Sequence, residues 1–171
     1  MTQVPEPTAY ETVRWFVEQF ALLLTDSGLP RMAARVFAYL LAGDRTTYTV
    51  AEIASGLGMS SAAVSGAVRH LSQAGLVVKD RELGASADSY RVYEDAWQVI
   101  AVRTVEAIDR AVDVLSAGVD RLDREAGQAS EGVREALEFY RFWRDELPAT
   151  MERWRDHRRA VLGGSATAIG T

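Results

Sequence analysis

Two helix starts and a forced turn fall between residues 49 and 74, and this spacing restricts the possible folds more than any other feature of the chain. Thr49 with Glu52 three residues later is a capping box: the threonine oxygen accepts from a first-turn amide while the glutamate reaches back. A short helix starts there and ends near Leu57, where Gly58 can take the left-handed conformation that a tight turn demands. Ser60 then caps a second helix running to Ala74. Two helices joined this way cross steeply. Small Ala54 fits where their backbones meet, and Ile53, Leu57, Met59, Val64, Ala67, Val68 and Leu71 fill the space between them. The pattern predicts a helix-turn-helix.

With Val64, Val68 and Leu71 inward, the second helix turns Ser61, Ala62, Ser65, Gly66, Arg69 and His70 outward. Short side chains at the helix start permit close approach to a DNA major groove, and Arg69 one or two turns later can read guanine or hold a phosphate. A merely solvated face would ordinarily carry Glu and Lys, yet neither occurs from Ala54 to Val78. Leu76–Arg81 and Asp88–Tyr93 have strand character, and the loop containing Gly84 makes them a hairpin, here a wing. Thr49, Ser60, Lys79, Arg81 and Arg91 are candidate phosphate contacts. For the three wing cations, salt bridging with Asp80, Glu82 and Asp88 is an equal alternative.

The flanks read as helix. Val13, Phe16, Val17, Phe20, Leu23 and Leu24 line one side of a helix from Thr8 to Asp26, while Trp15 and Leu22 lie on another, which predicts contact with both its own domain and a partner subunit. Gly28 stops this helix and Pro30 starts the next, which runs to about Ala42 with Ala33, Val36, Phe37 and Leu40 in the core. Beyond Asp95, Ala101, Val105, Ile108, Val112, Leu115, Val119 and Leu122 alternate four and three apart in a heptad seam. After a break near Gly127–Gly132, Val133, Leu137, Tyr140, Leu147, Met151 and Trp154 mark a last helix that Pro148 should kink or interrupt. Trp15, Leu22, Ile108, Val112, Leu115, Val119, Leu122, Tyr140 and Trp143 are candidates for a homodimer interface, the alternative being an intramolecular helical hairpin.

The expected fold is therefore mainly α with a small β-wing. It divides into an N-terminus without structure (1–7), N-terminal helices (8–48), a winged helix-turn-helix (49–94), a helical dimerisation region (95–162) and a flexible tail (163–171).

Composition excludes more than it identifies. No apolar run reaches the ~18 residues of a membrane span, and the start MTQVPEPTAYE lacks the basic and apolar parts of a signal peptide, so a cytoplasmic protein is expected. There is no cysteine, His70 and His157 lie far apart, and no phosphate-cradling glycine motif occurs, since Gly56 and Gly58 belong to the turn between helices. Neither an enzyme, a metal site nor a cofactor is expected. The net charge is −5, yet residues 49–93 balance four bases against four acids, a weak footprint for a DNA binder.

The order of elements is similar to the MarR superfamily of bacterial regulators, and FVEQFALLLTDSGLPRMAARVFAYLLAGD with SSAAVSGAVRHLSQAGLV resembles its GbsR-like branch. The resemblance implies a homodimer that binds an inverted-repeat operator in double-stranded DNA, often as a repressor, released by a small-molecule effector held between the DNA-binding and dimerisation parts. It places Ser61, Ser65 and Arg69 where the family reads bases. One departure stands out: relatives carry Arg near the wing tip, whereas here the tip is Leu83, Gly84, Ala85, Ser86 and Ala87. The neutral reading unit leaves a second possibility, a winged-helix protein-interaction module. Phe139, Tyr140, Phe142, Trp143 and Trp154 could hold an apolar ring or a quaternary ammonium, though such residues more often form core or interface.

Overall fold

A computed structural model describes residues 9–80 and 87–162, which fall into two compact units meeting at Ala96–Trp97. The expectations for residues 1–7 and 163–171, for Arg81 and for the wing tip from Leu83 to Ser86 lie outside the described residues.

The first unit begins with α1 (Ala9–Asp26), which ends as its glycine predicts. Gly28 takes φ +97°, its amide donates to the Thr25 carbonyl at 2.9 Å, and the Leu29 amide donates to Leu24 at 3.0 Å, closing a left-handed cap. Helix α2 (Arg31–Ala42) follows, with Pro30 as the N-cap residue rather than the first helical one. Its Ala33, Ala34, Val36, Phe37, Ala38 and Leu40 are all buried, so α2 is covered on more sides than the four-residue stripe read from the sequence. It touches α1, the next two helices and the last strand of the sheet. Against α1 the seam is small, with Ala34 and Ala38 meeting Val17 and Ala21 while Val13, Phe16, Phe20 and Leu24 close the edges. Leu23 departs from the expected inward stripe: it is 59 % exposed and shares the outward side with Trp15 and Leu22, while Ala21 takes the core position.

Strand β1 (Tyr48–Thr49) leads into α3 (Val50–Leu57) and α4 (Ser61–Gln73), and the hairpin β2 (Val77–Asp80) and β3 (Ser89–Val92) completes an antiparallel sheet of order β1-β3-β2. Register pairs Tyr48 with Tyr90 on one edge and Val77 with Val92 on the other. The sequence signal missed β1, since two residues are too few to show a strand period. Phe37, Ile53, Val64 and Leu71 are fully buried, each worth about 1.5–3 kcal/mol over an exposed position. This is a winged helix.

The second unit is α5 (Ala96–Glu125) and α6 (Glu131–Leu162). Their connection is pinned by Asp123, whose Oδ1 accepts the Ala129 amide at 2.7 Å and pairs with Arg134 at 2.6 Å. Those contacts, the amide first, hold its carboxyl below the usual range. Val112, Val119, Ala129 and Leu137 form a buried cluster edged by Leu115, Val133 and Tyr140. Val112, Leu115 and Val119 of the heptad seam therefore pack against α6 of the same chain. Ile108, Val112 and Val119, expected at a partner subunit, are already buried in one chain, and Leu115 and Tyr140 are half-buried. Leu122 and Trp143 stay exposed. Nor does Pro148 interrupt α6, which runs on to Leu162.

Gly56 lies inside α3, not in the turn assigned to it from sequence, and a Cβ there would fall 2.2 Å from the Tyr39 hydroxyl and 2.5 Å from its ring carbon. At Gly66 in α4 a Cβ would meet nothing within 4 Å. Gly66→Ala should therefore raise unfolding free energy by about 0.5–1 kcal/mol through helix propensity, whereas Gly56→Ala gains the same propensity but must displace the Tyr39 ring and should be the less stable of the two variants. Urea denaturation of both variants checks that order.

Candidate nucleic-acid interface

Local chemistry at each end of the turn determines which face α4 presents. The Thr49 hydroxyl accepts the Glu52 amide at 3.3 Å, while the Glu52 carboxylate accepts the Thr49 amide at 2.7 Å and its hydroxyl at 2.8 Å. Arg45 pairs with the same carboxylate and lies 5.3 Å from the centre of the Tyr48 ring. The sequence showed the box but not this cationic buttress, because nothing in the spacing brings Arg45 to Glu52. Gly58 sits at φ +62°, and the Met59 amide donates to Ala54 at 3.0 Å. Ser60 Oγ then accepts the Ala63 amide at 3.2 Å, and α4 begins.

Val64, Ala67, Val68 and Leu71 are buried beneath α4, with Leu57 and Met59 half-buried at its entry. Ser61, Ala62, Ser65, Arg69 and His70 are exposed together on the other side, with Gly66 half-exposed among them. The structure thus gathers the six predicted outward residues onto one surface. Among the described residues no carboxylate pairs with Arg69, and α4 itself contains no acid. Such a face can donate from Arg69 and the serines, accept at the serines, and offer the Ala62 methyl to a thymine methyl.

The candidate phosphate contacts are less free. Thr49 is engaged in its cap and half-buried, while Ser60 is exposed. Lys79 pairs with Asp88 at 2.8 Å, and Arg91 reaches Asp80 at 3.6 Å and Glu94 at 3.9 Å. For these two wing cations the salt-bridge alternative is the arrangement found, since antiparallel register sets Val78 opposite Arg91 and Lys79 opposite Tyr90, with acids alongside. A phosphate would have to compete with those carboxylates.

The first unit also contains a half-open cleft of about 710 Å³ bordered by α1, α2 and α3, with Tyr10, Arg14, Glu18, Arg35, Tyr39 and Tyr48 among its walls. On α6, Phe139 packs against Tyr140 and Trp143 with ring centres 5.6 and 5.4 Å apart, and Phe142 is largely exposed. A smaller cleft of about 240 Å³ lies between α5 and α6 beside Pro148 and Met151, away from those rings. Among the described residues no cluster of three His, Asp or Glu could hold a metal, and no helix is long and apolar enough to cross a membrane.

Glu52 has a folded-state pKa of about 2 instead of 4.5, chiefly from the Thr49 amide, then from Arg45 and the Thr49 hydroxyl. A lowered carboxylate pKa stabilises the fold fully above the unfolded value and is lost as pH falls from 4.5 towards 2. Glu52→Gln should cost on the order of 1 kcal/mol at neutral pH and flatten the acid limb of stability, as read from urea midpoints between pH 7 and pH 3. Parallel acid limbs for the two proteins would contradict the assignment.

Residues 27–84 match the MarR family, and residues 95–157 match the MmpR5-like MarR family transcriptional regulators. A solved structure described as a transcriptional regulator is similar in fold, with a TM-score of 0.69 and 23 % identity over 85 % of this chain and 99 % of that one. The adhesin competence repressor AdcR of Streptococcus pyogenes aligns at 18 % identity over 82 % of this chain and 98 % of its own, with a TM-score of 0.37. No curated protein matches the sequence.

Proposed function

We propose that this chain, two segments of which match MarR-family models, is a MarR-type transcriptional regulator that binds an inverted-repeat operator as a homodimer and represses transcription until a small molecule releases it. The observation that carries the DNA-binding part is the acid-free outward face of α4, with Ser61, Ala62, Ser65, Gly66, Arg69 and His70 presented together. Assignment to the GbsR-like branch rests on the resemblance of the sequence from Phe16 to Val78, and a cytoplasmic setting is part of the same proposal.

Support for the homodimer comes from apolar surface left uncovered in the single chain. Trp15, Leu22 and Leu23 on α1, and Leu122, Phe139, Phe142 and Trp143 in the second unit, are each more than a third exposed. Aromatic residues are enriched at subunit interfaces relative to the rest of the surface, and contiguous apolar patches mark interaction sites. Two α4 helices in successive major grooves require half-sites about 10–10.5 base pairs apart. The paired state of Lys79 and Arg91 favours one rival, a winged-helix module that binds protein instead of DNA.

Fluorescence anisotropy with the duplex upstream of the chain's own gene, beside a scrambled duplex, distinguishes the two. Arg69→Ala should weaken the specific complex by about 1–3 kcal/mol while barely changing the scrambled one, and the salt slope should be shallow because few wing cations are available to displace counterions. Gly66→Ala, although stabilising, should also weaken specific binding by holding the helix off the groove. Equal affinity for both duplexes at every salt concentration supports the protein-binding module; a steep slope contradicts the account of the wing.

A further inference from the structure

Arg35 on α2 joins three helices. Its Nε and Nη2 donate to Glu18 Oε1 of α1 at 3.0 and 2.7 Å, and Nη2 also donates to the Leu57 carbonyl at 3.4 Å. Leu57 is the last residue of α3, where the negative end of the helix dipole favours a cation. One turn along α2, the Tyr39 ring fills the space in front of Gly56. The final turn of α3, which feeds directly into Gly58 and the cap of α4, therefore rests on two side chains of α2. One of them is held in place by an acid on α1.

The surroundings make this contact adjustable. The Arg35 side chain is 20 % exposed and that of Glu18 40 %, and both border the cleft of about 710 Å³. Without Glu18, the guanidinium has open space to turn into, and the 3.4 Å bond to Leu57 is the weaker of its contacts. Base-edge hydrogen bonds need a defined helix attitude, whereas phosphate contacts tolerate a shift.

We propose that Glu18 and Arg35 form a positioning clamp: Glu18 holds Arg35 against the end of α3, fixing the turn that aims α4, so that preference for specific DNA depends on a pair remote from the DNA-facing surface. The consequence for DNA rests on the function proposed above; the seating of the turn is a property of the free protein. Glu18 on α1 thereby influences the reading helix through Arg35 and the end of α3.

Hydrogen exchange of the free full-length protein, followed by anisotropy, tests the clamp with Glu18→Gln and Arg35→Lys. Amides of Gly58 and Met59 should exchange at least about fivefold faster in both variants while that of Val68 is unchanged, and the ratio of specific to scrambled affinity should fall about fivefold with the scrambled affinity kept within twofold. Exchanging the pair, Glu18→Arg with Arg35→Glu, restores an ion pair between α1 and α2 but no donor for the Leu57 carbonyl. It should recover the melting temperature without recovering slow exchange at Gly58. Unchanged exchange at Gly58 and Met59, or an increase spread over the whole first unit, overturns the clamp. If the unaltered protein prefers no duplex, the DNA reading fails instead, and the exchange result still decides the clamp.

Discussion

The enclosure of α2 is the constraint on which the first unit depends. A helix touched by α1, α3, α4 and β3 can hide its surface only if some positions are small, and Ala33, Ala34 and Ala38 supply them while Val36 and Phe37 fill the wider gaps. Close approach extends to the α3 side, where Tyr39 lies over Gly56. Because α3 and α4 both lean on α2, the attitude of the outward face of α4 is set by packing from behind. Enlarging Ala34 or Ala38 would separate α1 from α2 before it affected any residue of the outward face of α4.

Those parts of the fold whose signals are local were legible in the sequence. The capping box at Thr49 and Glu52, the left-handed Gly58 and the Ser60 cap each act within four residues, so their spacing alone defined α3, the turn and α4. What depended on distant partners was not legible. A heptad seam shows that α5 has a partner but not whose, and the structure supplies α6 of the same chain to Val112 and Val119. Leu23 fitted the inward stripe by periodicity, yet α2 covers Ala21 instead, because a small residue allows the closer helix contact. Pro148 was expected to kink or interrupt the last helix, and α6 runs through it to Leu162 without interruption.

The candidate site was legible to a similar degree and for the same reason. Period and capping alone placed Ser61, Ala62, Ser65, Arg69 and His70 outward. The wing cations were ambiguous because a salt bridge depends on cross-strand register, which brings Asp88 to Lys79 and Asp80 to Arg91. With those charges paired, the proposed base reading rests on α4, where Arg69 is the one Lys or Arg. Arg45 and Arg35 were missed because each acts through a tertiary contact, on Glu52 and on Leu57, with no motif of its own.

If Arg69 reads a base edge, as proposed, substituting 7-deazaguanine for single guanines in the bound duplex exposes that contact by removing one major-groove acceptor at a time. One position in each half-site is expected where the replacement weakens binding of the unaltered protein but has no further effect on Arg69→Ala, because the two changes delete the same contact. Additive losses at every guanine, or no loss at any, would contradict base reading by α4.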